Sequence, residues 1–239
     1  MMIRLCKYIA IFEKNIFMGT SAILSLLPAP IVAIAIYLFL RYKYSDGDFH
    51  LLYKTFIWGA VGVLPVFVAD KLISFFHLDH LHSFNRTLFY AFVLTGGVFE
   101  LWKFLVLKLT VYPSKQVKKT FNVIVYSIII GAGFTTAYSV YALFYAPWYI
   151  NDSLFAITIG PVFVSISVIM GYFAGIALNR QFPVIDLITG LFIAVVFEGI
   201  YRFCLLTTDT VFLYMATAGM MITGVSLIVI SLREPESLK

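Results

Sequence analysis

The chain has 239 residues, of which 62% are hydrophobic and only 12% carry a charge, and its mean hydropathy is +0.96. A soluble globular domain carries about twice this charged fraction, so the composition excludes one and indicates an integral membrane protein in a lipid bilayer. The formal net charge of +5 is accounted for by basic loops at one membrane face and indicates no nucleic-acid partner.

The predicted elements begin at the membrane surface. Residues 1–15 mix basic and apolar side chains, which predicts an amphipathic helix lying at the interface. Seven later segments each offer the roughly 20 apolar residues that a helix needs to cross a bilayer, and they lack the alternation of barrel strands. The predicted spans are Ile16–Leu40, Leu51–Phe76, Thr87–Val111, Thr120–Ala146, Ser153–Leu178, Phe182–Leu206 and Val211–Leu232.

The predicted fold class is therefore an all-α integral membrane protein with a bundle of about seven transmembrane helices. The chain contains no linker rich in Gly, Ser or Pro and no charged block long enough to form a soluble domain. We expect residues 16–232 to form a single transmembrane domain, followed by a cytoplasmic tail of residues 233–239.

Basic residues in the loops predict the orientation, because cytoplasmic loops carry an excess of Lys and Arg. One side has Arg41, Lys43, Lys115, Lys118, Lys119, Arg180, Arg233 and Lys239. The other side has fewer, although Arg4, Lys7 and Lys14 before the first span oppose the assignment. We expect the N-terminus outside and the C-terminus in the cytoplasm.

Glycines are concentrated in the third to fifth predicted spans. The fifth has the pair Gly171 and Gly175, a spacing that lets helix backbones approach closely in lipid. The third and fourth contain Gly96, Gly97, Gly131 and Gly133. These three spans are the predicted packed centre, although glycine is also common in membrane helices that pack less closely.

Several ionisable residues lie inside the predicted spans, where each costs about 2.5–3.5 kcal/mol near the bilayer centre. Glu100 and Lys103 are three residues apart, and Glu198 and Arg202 are four apart, so each pair can form along one helical face. Two interpretations stay open. The pairs neutralise themselves and hold helices together, or the two carboxylates face a common hydrated cavity.

A histidine-rich segment, HLDHLH, follows the second predicted span. His77, His80 and His82 have the residue type of transition-metal ligands, and Asp79 lies between them. They are weak candidates, because a loop outside the helical core gives them no fixed geometry. We favour an ordinary interfacial loop.

A motif in the third predicted span carries a resemblance to a known family. The segment Gly96–Phe104 (GGVFELWKF) resembles the signature of the PrsW intramembrane proteases, in which two Glu residues are followed by two residues and a Lys. Glu100 and Lys103 match this signature. Phe99 stands where the first Glu is expected.

Motifs in the next two spans occur in the family's order. The run Gly131–Tyr141 is similar to the family's G-x-G-F-x-x-x-E-N-x-x-Y, with Tyr138 and Ser139 in place of Glu and Asn. The run Phe163–Gly175 is similar to H-x-x-x-T-x-x-x-G-Y-x-x-G, with Phe163 in place of the histidine.

The sixth predicted span supplies the last motif. Glu198–Phe203 aligns with H-G-x-x-(D/N)-F, so that Glu198 replaces a second histidine and Arg202 replaces the acid or amide. The resemblance covers about Ile31 to Phe203. It implies a PrsW/Aph-like helical fold in a bacterial plasma membrane, and its superfamily includes CAAX prenyl endopeptidases and the non-proteolytic Aph subunit of γ-secretase.

The substitutions change the chemistry that the resemblance implies. Hydrolysis needs an activated water and a group that stabilises the oxyanion, which facing carboxylates and histidines are implied to supply. This chain loses both helical histidines, so no metal site and no cofactor are expected there. We expect the rings of Phe99, Tyr138 and Phe163 to fill the cavity, the Tyr138 hydroxyl to be available to Glu100, and Arg202 to neutralise a carboxylate.

Three functions follow as hypotheses, and no catalytic residue is assigned. The first is an inactive pseudoprotease that acts as a scaffold or accessory subunit for another integral membrane protein. The second is an active intramembrane peptidase in which Glu100 and Glu198 form a shared-proton dyad. The third is an ion or solute transporter whose path is lined by the intramembrane charges, including Asp70.

Overall fold

The computed structural model of the chain describes residues 31, 34–35, 49–76, 83–114, 117, 119–145, 153–178, 180–207 and 209–233. Every regular element in these ranges is helical, and six helices are long and apolar enough to cross a membrane. The predicted all-α membrane class is confirmed. The first predicted span lies almost entirely outside the described residues, as do residues 1–15, the segment His77–His82 and the tail after Arg233.

The described helices follow one another along the chain with short connections. Two π-helical segments, Tyr90–Gly97 and Leu107–Val111, flank the short α-helix Val98–Val106. The helices are α1 (Phe49–Val61), α2 (Val63–Phe75), α3 (Phe84–Phe89), α4 (Val98–Val106), α5 (Thr120–Tyr145), α6 (Ser153–Ala177), α7 (Pro183–Thr207) and α8 (Thr210–Arg233). The first described span consists of α1 and α2, and the second runs from α3 through both π-helical segments.

The first described span is interrupted at Gly62. The Gly62 N–H donates to the Gly59 carbonyl three residues back at 3.0 Å, and Pro65 has no N–H to donate within the helix. The indole Nε1 of Trp102 donates to the Trp58 carbonyl at 3.0 Å. Because irregular backbone inside a membrane requires such internal partners, this bond ties the interruption to α4.

The centre of the bundle is formed by α5 and α6. Of their most apolar stretches, 83% and 72% are buried, compared with 22% for the first described span and for α8. A Cβ at Gly171 or Gly175 would lie 2.8 Å from the Ile124 Cα or 2.7 Å from the Thr120 Cα, respectively. The predicted close approach at this glycine pair is confirmed. The second described span, with 44% buried, flanks this centre.

A second close approach joins the second described span to α7. An added Cβ at Gly96 would lie 3.1 Å from the Val195 carbonyl oxygen and 3.3 Å from the Gly199 nitrogen. At Gly199 it would overlap the ring of Phe92. The approach occurs in the π-helical segment before α4, a type of helix distortion that is frequent at functional sites. It brings the charged residues of α4 and α7 into the same layer.

Candidate functional site

Four charged side chains lie inside the bundle. Glu100 and Lys103 project from α4, Glu198 and Arg202 project from α7, and none is more than 2% exposed. We call these four residues the charge cluster. Its formal charges sum to zero, with two carboxylates and two cations.

Each pair forms along its own helix, as the spacing predicts. Lys103 Nζ forms an ion pair with Glu100 Oε1. Arg202 Nε donates to Glu198 Oε1 at 2.8 Å. Charges this deep in a protein are tolerated only when they are paired, so the intrahelical pairs account for how the chain holds four ionisable groups inside a membrane.

Aromatic rings surround the cations of the charge cluster. The Arg202 guanidinium carbon lies 4.7 Å from the ring centroid of Phe99 and 4.8 Å from that of Tyr138. Lys103 Nζ lies 4.8 Å from the Phe163 centroid. These distances are in the range of cation–π interactions, which stabilise a desolvated cation. We call Phe99, Phe134, Tyr138 and Phe163 the ring cage.

The ring cage is continuous. Phe99 lies 4.9 Å from Tyr138 and 5.0 Å from Phe134, measured between ring centroids. Phe134 and Phe163 are stacked at 5.9 Å. The three rings predicted to fill this region do so. Sequence reasoning did not assign Phe134 to the cage, although its position one helical turn before Tyr138 was a signal that both face the same side.

The hydroxyl of Tyr138 has a partner other than the expected one. It accepts a hydrogen bond from Arg202 Nη1 at 3.0 Å, so the Tyr138 hydroxyl contacts a cation of the charge cluster. Arg202 thus contacts the Glu198 carboxylate, the Tyr138 hydroxyl and the rings of Phe99 and Tyr138. Ser139, the next residue of α5, is fully buried but lies about 100° further around the helix.

A polar pair outside the charge cluster extends towards α2. Tyr141 donates to Asp70 Oδ2 at 2.7 Å, and its ring centroid lies 6.3 Å from that of Tyr138. Asp70, Tyr141, Tyr138 and Arg202 therefore form a line of polar groups from the side of the bundle to its interior. The spacing along the chain gave no signal for this pairing, because the two residues are on different helices.

Another acidic residue, Asp186, lies in the first turn of α7. Its Oδ1 is 3.5 Å from Arg180 Nη1. Nearby, the Tyr112 hydroxyl donates to the Ala174 carbonyl at 2.6 Å. Burial and the negative charge of Asp186 raise the pKa of Tyr112 to about 12. This cluster is at the end of the bundle and does not contribute to the interior site.

The part of the chain that contains these residues matches a known protein family. Residues 47–230, most of the chain, match the family described as PrsW family intramembrane metalloprotease. The chain belongs to the PrsW family. The resemblance predicted from the four motifs is thereby confirmed, and PrsW membership agrees with the helical membrane fold.

Two curated relatives carry the same family name. The chain is 26% identical over 156 residues to Protease PrsW of Bacillus subtilis (strain 168), a match that covers 64% of this chain and 68% of the relative. It is 27% identical over 180 residues to Protease PrsW of Shouchella clausii (strain KSM-K16), covering 74% and 80%. No solved structure matches the chain.

The family description implies a metal, and the donors among the described residues do not fit one. No group of three His, Cys, Asp or Glu side chains converges within the described part of the chain, whereas catalytic zinc usually has three protein ligands. Both carboxylates of the charge cluster are already paired with cations. The weak candidates His77, His80 and His82 lie outside the described residues.

Proposed function

We propose that this PrsW-family protein is a pseudoprotease that binds another integral membrane protein as a scaffold or accessory subunit, in a bacterial plasma membrane. One observation carries the proposal. Every charge in the interior site is paired within its own helix, and aromatic rings enclose both cations. In this proposal the residues Phe99, Glu100, Lys103, Tyr138, Ser139, Phe163, Glu198 and Arg202 are the remnant of the family's catalytic site.

Pairing makes the two carboxylates unsuitable for hydrolysis. A general base must contact the water that it deprotonates, and each ion pair holds one carboxylate oxygen on a cation. Glu100 is held by Lys103 and Glu198 by Arg202. The ring cage also occupies space next to these groups, and a nucleophilic water needs that space to approach a peptide carbonyl.

A second function, intramembrane peptidase activity, is supported by a different observation. The Oε2 atoms of Glu100 and Glu198 are buried without a hydrogen-bond partner among the described residues. Each carboxylate therefore keeps one oxygen that could hold a shared water. In this alternative, one acid acts as the base and the other as the proton donor.

Cleavage of reconstituted substrates separates the two functions. The purified protein in liposomes is mixed with labelled single-span substrates, and Protease PrsW of Bacillus subtilis serves as the positive control. A pseudoprotease gives no cleavage in the wild type, in Glu100→Gln or in Glu198→Gln. Cleavage by the wild type that either substitution abolishes would establish the peptidase and refute the pseudoprotease.

The accessory role has its own test. We expect purification in mild detergent to yield a membrane protein companion at fixed stoichiometry. A chain that is inactive and elutes alone under several mild detergents would count against this role.

The distribution of basic loops supports a topology with the N-terminus outside and the C-terminus in the cytoplasm. Residues 16–232 form the single transmembrane domain of this proposal, with an interfacial segment before it and a short tail after it. A reporter that is active only in the cytoplasm, fused after Lys239, is expected to be active. An inactive but full-length fusion would reverse the orientation.

A further inference from the structure

One end of the bundle brings together helix ends from all the described spans. Tyr112, just after the second described span, donates to the Ala174 carbonyl near the end of α6 at 2.6 Å. A Cβ at Gly175 would lie 2.7 Å from the Thr120 Cα at the start of α5, and α1 packs against Leu107–Val111. Since α7 and α8 follow α6 with short connections, α7 also begins at this end and α8 also ends there.

This end of the bundle carries an excess of basic side chains. Five described Lys and Arg residues lie within about two helical turns of it, and all five are exposed. Asp186 is the one acidic residue that the structure describes there. The adjoining segments, 41–48, 115–118 and 234–239, contain five basic and four acidic residues, so they do not reverse the excess. We call the five described side chains the basic end: Lys54, Lys108, Lys119, Arg180 and Arg233.

The opposite end of the bundle lacks this excess in the part of the chain that the structure describes. Outside the charge cluster, its cations are Lys71 and Arg86, and its acids are Asp70 and Asp209. The charge cluster itself sums to zero. The positive charge of the described helices is therefore concentrated at one end, where spanning helices meet the phospholipid headgroups.

Arg180 is suited to bind a phosphate. Its side chain is 63% exposed, and its Nη1 lies 3.5 Å from Asp186 Oδ1, a long pairing that engages one of its donors. A guanidinium has five N–H donors in a planar geometry that matches a phosphate. Phe182, two residues later, is 70% exposed, which places an apolar side chain next to this cation.

Lys108 combines the same two features. It is exposed three residues before the end of the second described span, and Leu109, the next residue, is 72% exposed. A lysine near the end of a spanning helix extends its ammonium to the headgroups while its alkyl chain covers apolar surface. A cation beside an apolar side chain suits a lipid better than a soluble anion, because a lipid offers both a phosphate and acyl chains.

We propose that the basic end binds anionic phospholipids, with Arg180 and Lys108 contacting the headgroup phosphates. The charge excess at one end and the apolar side chains beside these two cations carry the proposal. Each Lys or Arg near an anionic membrane surface contributes about fivefold to binding. The inference goes beyond the proposed function and does not depend on whether the protein cleaves peptides.

Lipid titration tests the inference. The purified protein in detergent micelles is titrated with phosphatidylglycerol or phosphatidylcholine that carry the same acyl chains, and native mass spectrometry counts the lipids bound. Because the two lipids differ only in the headgroup, the ratio of their association constants measures the charge preference. We expect phosphatidylglycerol to bind roughly five- to thirtyfold more tightly, as one or two cations per headgroup predict.

Variants identify the cations responsible. Arg180→Gln and Lys108→Gln are each expected to lower the association constant for phosphatidylglycerol up to about fivefold and to leave that for phosphatidylcholine unchanged. Lys108→Arg keeps the charge and is expected to keep the preference. Lys71→Gln is the matched control, because it removes an exposed lysine from a spanning helix at the opposite end, and it is expected to change the preference by less than about twofold.

Four results would overturn the inference. They are equal association constants for the two lipids in the wild type, a preference that neither Arg180→Gln nor Lys108→Gln lowers, an equal loss in Lys71→Gln, and displacement of phosphatidylglycerol by glycerol 3-phosphate. The last would assign these cations to a soluble phosphate. Substrate cleavage is measured separately, so a protein that cleaves substrates refutes only the pseudoprotease, and an inert protein without lipid preference refutes only this lipid site.

Discussion

Removal of the Arg202 cation is the sharpest test of how the interior site is held together. The substitution Arg202→Met keeps a long apolar side chain but leaves Glu198, which is fully buried, without its ion-pair partner at 2.8 Å. Breaking a buried pair in this way costs about 3–5 kcal/mol. The lost contacts with the rings of Phe99 and Tyr138, at 4.7 and 4.8 Å, add about 1 kcal/mol.

A double-mutant cycle isolates the interaction. Glu198→Gln, Arg202→Met and the double variant are unfolded reversibly in mixed detergent micelles, with tryptophan fluorescence as the signal. Because the double variant leaves no uncompensated charge, we expect it to be at least about 2 kcal/mol more stable than the sum of the single effects predicts. The matched control is Arg180→Met. This side chain is 63% exposed and pairs with Asp186 at 3.5 Å, so we expect a cost below about 1 kcal/mol.

A charge-neutralised site is refuted if Arg202→Met is no more destabilising than Arg180→Met. Single effects that add without coupling would refute it as well, because Arg202 and Glu198 would then contribute independently. Either result would remove the physical basis for a charge-neutralised site.

Three other predictions concern packing, pH and metal content. Gly133→Ala is expected to destabilise the protein by about 1–3 kcal/mol, because the added Cβ would overlap a carbonyl oxygen of α1. Gly219→Ala places its Cβ in open space and is expected to stabilise the protein by up to about 1 kcal/mol. The same unfolding assay checks both variants. The pKa of Tyr112 is raised to about 12 beside Asp186, so the folded state holds the phenol proton more tightly than the unfolded state does. The free energy of unfolding is therefore expected to fall from about pH 10 to pH 12, and to fall less in Tyr112→Phe. Equal pH profiles of the two proteins would contradict this. Plasma mass spectrometry of the purified protein is expected to find substoichiometric zinc, and a stoichiometric metal lost in Glu198→Gln would show that the charge cluster does bind one.

Local features of the site follow from the sequence. Glu100 pairs with Lys103, and Glu198 with Arg202, because residues three or four apart share a helical face whatever the surrounding fold. The membrane class follows from composition, since runs of about 20 apolar residues have few alternatives to a spanning helix. The four motifs were sufficient to predict the family.

Contacts between helices depend on the tertiary structure. The hydrogen bond from Arg202 to Tyr138, the bond from Tyr141 to Asp70 and the contact of Trp102 with the interrupted span all join residues at least 44 positions apart. Which residues become partners depends on which helices pack together and on their relative positions along the helix axes. Glycine contacts and close packing of the core determine both. Intrahelical spacing determined which charges are neutralised, whereas packing determined that rings enclose them and that Tyr141 of α5 donates to Asp70 of α2.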